Sequence, residues 1–470
     1  MQIKEIENNI FELKSSNKVN IRLFLDKKLL DALESTVFQQ LLNIAELPGV
    51  ISPVCAMPDT HSGYGFPIGG VAAFDAEEGV ISAGGVGFDI ACGVRTLLTP
   101  LSLRDILPIQ EDLADELFQR VPAGVGSKGD IKLSFKEVDK MLVGGARWAI
   151  EQGFGEEIDL QFIEDDGVAK EANPDFVSKK AKERQKYEMG TLGAGNHYLE
   201  VQVVEEIFDL EKAKIFGLSL NQIVVSIHCG SRGLGHQVAT EYMQEMVKYT
   251  QKRKLSLPDK NLAYAPIKSE LGRRYFSAMQ AAINCALANR QIITHLVRSA
   301  FNKFFKGIFL ALLYDVSHNT CRKEVYEVKG KLKELYVHRK GATRSFGPRN
   351  KFIPFKYQKA GQPVLIGGSM GTFSYILAGG DNSDKLSFGS TCHGAGRVMS
   401  RNQAKKTYSG KNLISKLNKA GIVVRGHSYK GLAEEAPSAY KDVSRVVEVT
   451  HNLGLSTKVA RLRPLIVIKG

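Results

Sequence analysis

The chain has 470 residues, 43% hydrophobic, 24% charged and 8% aromatic. That globular composition excludes collagen, a whole-chain coiled coil and wholesale disorder. Sixty-three lysines and arginines against 50 acids leave a formal charge of +13, which favours a polyanionic partner such as nucleic acid without locating a site. Six scattered cysteines form no CxxC pair, so a reducing, cytoplasmic setting is expected. The first twenty residues lack the apolar core of a signal peptide, and no apolar run approaches the ~20 residues of a bilayer span, so no membrane association is expected.

In chain order, the first chemical segment is residues 57–93, MPDTHSGYGFPIGGVAAFDAEEGVISAGGVGFDIACG. Asp89 and Cys92 stand three apart in a glycine-flanked turn, where a carboxylate and a thiolate can share a divalent ion, and a thiolate can bridge two. A buried inert cysteine beside a turn aspartate is the structural alternative. Residues 165–188 are charge-dense and read either as a solvated helix or loop or as a phosphate-contacting surface. GTLGAGNHYLEVQ (190–202) brings Asn196, His197 and Glu200 to the start of a strand-like run. Residues 222–227 read as a buried strand. It delivers His228 to a loop of three glycines with Arg232, a composition suited to phosphate. Residues 237–254 and 284–305 carry apolar residues at helical spacing.

Residues 308–314 read as another buried strand, followed by His318 and Asn319. Residues 364–366 form a third, leading into GGSMGTFS; no GK[ST] follows, so this is not a Walker loop. STCHGAGRVMSR (390–401) puts His393 on a glycine turn beside Arg397 and Arg401, an arrangement that suits either a nucleophile attacking phosphorus with arginines offsetting charge or a capping histidine at a helix start. Residues 422–424 and 465–468 read as strands, the last ending on Lys469. His295, His338 and His451 read as structural, while His61, His236 and His427 fit either role. Histidine, carboxylate and thiolate recurring at strand ends point to a transition metal and not to calcium. No internal repeat or linker divides the chain.

Taken together, MPDTHSGYGFPIGG, GFDIACGVR, GTLGAGNHYLE, HCGSRGLGHQ, SHN, GGSMGT, HGAGR and the terminal KG, in that order, resemble the RtcB family of RNA-splicing ligases. The resemblance implies a mixed α/β (α+β) fold, one large domain over residues 1–470 with a deep metal-binding cleft. It implies joining of RNA 2′,3′-cyclic-phosphate or 3′-phosphate ends to 5′-hydroxyl ends, using GTP and two Mn²⁺ ions. Cys92 would bridge the metals, one held with Asp89 and His197, the other with His228 and His318. His393 would accept GMP, with Asp59 orienting its ring and Arg397 assisting. GTP would be held by Asn196, His197, Tyr198, Leu199, Glu200, His318, Asn319, Gly367, Gly368, Ser369, Met370, Ser374, His393, Gly394, Ala395, Gly396 and Lys469. RNA is the implied partner, with an archaease-like helper protein in parts of the family. Ala91 and Thr320 stand where the family pattern often has Asn and Ile. Two rivals remain: a metal-dependent phosphoesterase that never ligates, and a non-catalytic RNA-binding protein. On the ligase reading, Arg232, Arg397 and Arg401 are expected to line the approach to the cleft.

Overall fold

A computed structural model describes residues 3–470. It is a mixed α/β structure built on two large sheets. The first has seven strands in the order Lys4–Glu7, Ile10–Lys14, Asn20–Phe24, Val50–His61, Ile68–Asp75, Lys331–Lys340 and Asn319–Val328. The second has eight. Seven run in the order Ala311–Ser317, Gly93–Ser102, Gln222–Cys229, Tyr198–Ile207, Ser456–Lys469, Ser374–Gly379 and Pro363–Ile366, and Val423–Gly426 pairs in parallel with the C-terminal strand.

Helix Glu270–Phe304 starts where the Ser269 hydroxyl accepts the Gly272 N–H at 3.0 Å, an N-cap that satisfies an otherwise orphaned donor. Its 25 buried residues include small alanines at Ala278, Ala281, Ala282, Ala286 and Ala288, which let neighbouring backbone approach closely. The largest apolar cluster runs from Ile10 to Ile468 and draws on both sheets. No helix among the described residues is long and apolar enough to cross a membrane.

Strands predicted at 222–227, 364–366, 422–424 and 465–468 fall within or overlap observed ones. That at 308–314 is displaced, the strand being Ala311–Ser317. The reason lies in Asp315, a residue that reads as ending a strand and is in fact wholly buried between Arg95 and Arg290. Its carboxylate takes Arg95 Nε at 2.6 Å and Arg290 Nη2 at 2.7 Å, with all three side chains 0% exposed. The helix predicted at 284–305 begins fourteen residues earlier, at Glu270. The 165–188 segment divides. Asp165 pairs with Arg322 and Arg344, while helix Lys179–Gln185 leaves its basic side chains largely at the surface.

Candidate metal and nucleotide site

Antiparallel pairing sets the site. Gly93 opens its strand opposite Ser317 on one side and Cys229 on the other, and Tyr198 opens its strand opposite His228. Cys92, His197, His228 and His318 are therefore delivered to one end of the second sheet from four different strands. Beneath them Arg290 donates through Nη1 to the carbonyls of Ala91 (2.8 Å) and Cys229 (2.9 Å). The buried ion cluster thus holds two of the ligand-bearing segments in place.

The side chains make a continuous row. Asp89 Oδ2 lies 2.7 Å from His197 Nε2, and Cys92 Sγ lies 3.2 Å from that nitrogen and 3.1 Å from His228 Nε2. His228 Nε2 is 3.2 Å from His318 Nε2. Two groups result, Asp89–Cys92–His197 and Cys92–His228–His318, with ligand atoms within 4.8 Å of one another and Cys92 common to both. His228 Nδ1–H donates to the Asn196 carbonyl at 3.0 Å. That fixes the tautomer and leaves the Nε2 lone pair facing the cluster, as metal-bound histidines require. Burial, helped by the Asp89 charge and opposed by His197, pushes the Cys92 thiol up to about 12. A bound cation reverses that preference, since a coordinating thiol is deprotonated. The His197 Nδ1 is buried without a protein partner. This donor set fits a transition metal and would suit two ions sharing a thiolate.

His393 adjoins the row, its ring centroid 4.7 Å from that of His318. Its Nδ1–H donates to Asp59 Oδ2 at 2.6 Å, and the backbone N–H groups of His393 and Gly394 reach the same oxygen at 3.0 and 3.2 Å. Burial works to raise the Asp59 carboxyl, but the His393 contacts and Lys441 overcome this and hold it below its ordinary range. Gly396, at φ +74°, packs so tightly that a Cβ there would strike the Asp59 carbonyl. Gly230 is constrained in a similar way, because a Cβ would collide with the Asp89 carboxylate.

The other predicted residues fall into two groups. An isolated bridge joins Gly367 to Gly394, so the GGSMGT and HGAGR loops meet. Lys469 Nζ donates to the Gly195 carbonyl at 3.0 Å and pairs with Glu435 at 3.4 Å, and Glu200 lies on the adjoining strand. Burial pushes Glu200 up to about 7 against the pull of Lys469. Leu199, Ala395 and Met370 are buried, Met370 within a small cluster with Leu417, Ile422 and Val467. Tyr198 packs on the His228 ring. Ser374 Oγ accepts from Gly368 N–H and from Gln202, and Ser369 is held by Thr372.

Asn319 spends its amide on the loop itself: Nδ2 donates to the Asp89 carbonyl and Oδ1 accepts from Gly341 N–H. Arg397 is likewise committed to Glu435, Tyr440 and the carbonyls of Glu434 and Met399. Arg232 bonds Thr191 and the Gly124 carbonyl, and Arg401 packs against Gly195. Of the three arginines expected along the approach, two therefore have their guanidinium groups engaged within the protein.

Sequence reasoning missed Glu435, Tyr440 and Lys441. Lys441 bridges the loops that carry Asp59 and His393: its backbone N–H donates to the Gly396 carbonyl at 2.8 Å, and its Nζ donates to the carbonyls of Pro58 and Thr60, on either side of Asp59. No glycine or histidine marked these positions; the only signal was a cluster of charge in a short polar stretch.

Residues 40–470 match the family model described as tRNA-splicing ligase RtcB. Proteins called tRNA-splicing ligase RtcB are similar over the whole chain. That of Archaeoglobus fulgidus is 49% identical over 476 residues, covering 100% of this chain and 99% of its own. That of Methanococcus maripaludis is 48% identical with the same coverage. That of Nanoarchaeum equitans is 46% identical over 478 residues, covering both chains completely.

Proposed function

The chain belongs to the RtcB family of tRNA-splicing ligases, and from that membership we propose that it is an RNA ligase acting in tRNA splicing or RNA repair. It joins 2′,3′-cyclic-phosphate or 3′-phosphate ends to 5′-hydroxyl ends, with GTP as the activating nucleotide. One domain spanning residues 1–470 carries the activity. The observation that carries this reading is the pairing of His393 with a buried carboxylate directly beside a double metal-ligand group. A hydrolase that activates water at the metals needs the metal ligands but does not require a histidine held for attack on phosphorus beside them.

Asp59 holds the His393 proton on Nδ1, which leaves Nε2 free to attack the α-phosphorus of GTP. The new N–P bond forms as the bond to pyrophosphate breaks. In a cyclic end, water first attacks phosphorus and breaks the P–O2′ bond to give a 3′-phosphate; an RNA 3′-phosphate oxygen then displaces His393, which leaves the guanylate on the RNA end. The 5′-hydroxyl attacks that 3′-phosphorus, a 3′,5′ bond forms and GMP departs. A 3′-phosphate is a poor electrophile, so this activation is what makes joining feasible. Two Mn²⁺ ions, held by Asp89, Cys92 and His197 and by Cys92, His228 and His318, would supply charge stabilisation at phosphorus. Glu200 and Lys469 would read the guanine edge by accepting from its N–H groups and donating to its carbonyl, and so favour GTP over ATP. A reduced Cys92 suits a cytoplasmic setting, and an archaease-like helper is a further partner of this reading.

The test is labelling with α-³²P-GTP and Mn²⁺. Wild-type protein is expected to take up covalent GMP and to join a cleaved stem-loop bearing 3′-phosphate and 5′-hydroxyl ends, while His393→Ala does neither. Covalent label retained in that variant would remove His393 from the mechanism.

A further inference from the structure

Tyr64, Phe88 and His236 form a ledge of aromatic rings that the reaction above leaves unused. The Phe88 ring stacks on His236, with centroids 5.1 Å apart and planes inclined by 25°. It meets Tyr64 edge-on at 5.8 Å and 85°. Phe88 immediately precedes Asp89, so the ledge adjoins the end of the ligand row farthest from His393. Tyr64 is 65% exposed and His236 is also at the surface.

The ledge is built, not incidental. Buried Lys340 donates through Nζ to the carbonyls of Tyr64 (2.9 Å) and Phe66 (3.0 Å), which fixes the loop that presents the tyrosine. Beside it lies an exposed cation. Arg184 reaches Gln237 at 3.2 Å and packs against Gly233, one turn before His236 on the same helix face. Aromatic faces flanked by an arginine recognise an unstacked nucleobase and its backbone phosphate. A protein helix would instead need a continuous apolar groove.

We propose that Tyr64, Phe88 and His236 stack the terminal base of an RNA strand whose end lies at the metal centre, with Arg184 meeting the adjacent phosphate. This rests on the RNA-joining reading and adds to it the subsite that holds one RNA end.

The experiment uses the full chain with GTP and Mn²⁺ and short single-stranded RNAs. 2-Aminopurine is placed as the terminal base of the 3′-phosphate strand in one arm and of the 5′-hydroxyl strand in the other. Wild type is expected to quench the fluorophore in one arm. Tyr64→Ala and His236→Ala are expected to lose that quenching and to raise the KM for that strand by about five- to a hundredfold. Tyr64→Phe, which keeps the ring, should restore both. Transfer of GMP from GTP to the protein involves no RNA and serves as the internal control. Unchanged quenching and KM in both alanine variants would overturn the proposal and leave the ledge to a protein partner. A parallel loss of GMP transfer would also overturn it, by making these residues supports of the metal loop. A wild-type protein that takes no GMP and joins no RNA defeats the ligase reading instead.

Discussion

Replacing Asp59 with Asn separates orientation of the nucleophile from its charge support. Asn is nearly isosteric, and its carbonyl oxygen can still accept the His393 and Gly394 backbone N–H groups that now reach Oδ2. What disappears is the negative charge 2.6 Å from Nδ1, at the moment attack on phosphorus makes the imidazole cationic. Two unit charges centred about 4 Å apart interact by about 4 kcal/mol at an effective dielectric of about 20. Since ~1.36 kcal/mol is tenfold in rate, GMP transfer should slow by about a thousandfold. The assay is the single-turnover rate of adduct formation, with bound metal measured alongside. Asp59 is no member of either ligand group, so metal content should stay at the wild-type level. A fall of less than about tenfold in a folded, metal-loaded Asp59→Asn protein would refute the electrostatic account.

Cys92→Ala should empty both metal positions together, as elemental analysis after desalting will show; loss of only one ion equivalent contradicts the shared thiolate. Asp315→Asn leaves two guanidinium groups buried around a neutral amide and should cost about 3–5 kcal/mol in urea unfolding, whereas a loss below ~1 kcal/mol would mean the cluster is solvated on opening. Burial lowers Lys340 from its ordinary 10.5 to about 7. The unfolded chain therefore binds the extra proton between those values, and stability should rise as pH climbs from about 7 towards 10.5. Lys340→Met should flatten that limb in chemical denaturation followed across the range, and an unchanged slope would assign it to other groups.

The ligand row was legible because Cys92, His197, His228 and His318 each stand at a strand end, the first three within two residues of a glycine. The role of Asp59 in orienting His393 came from resemblance, and the three hydrogen bonds to one of its oxygens explain why an aspartate suits that place. The C-terminal strand was legible only over 465–468. Its first half alternates with Lys458, Arg461 and Arg463, which pair with Glu448, Glu205 and Glu206, so hydropathy alone hid ten of its fourteen residues. Arg95, Arg290 and Lys441 were invisible for a related reason: a buried charge declares itself only through a partner distant in sequence. The same holds for Arg397, whose place in HGAGR suggested phosphate and whose partners are Glu435 and Tyr440.

The strand pairing that assembles the ligands also guards their identity. Along Gln222–Cys229 alternate side chains face opposite ways, so His228 and Cys229 present to different sides. A one-residue slip against Gly93–Ser102 would exchange them and offer a second thiol where an imidazole belongs. The Asp315–Arg95–Arg290 cluster stands against that error. Arg290, held by Asp315, bonds the Cys229 carbonyl, so a slipped Gln222–Cys229 strand would lose that acceptor from a buried guanidinium. The native register that presents His228 to the candidate ligand groups is thus favoured by residues that belong to neither group.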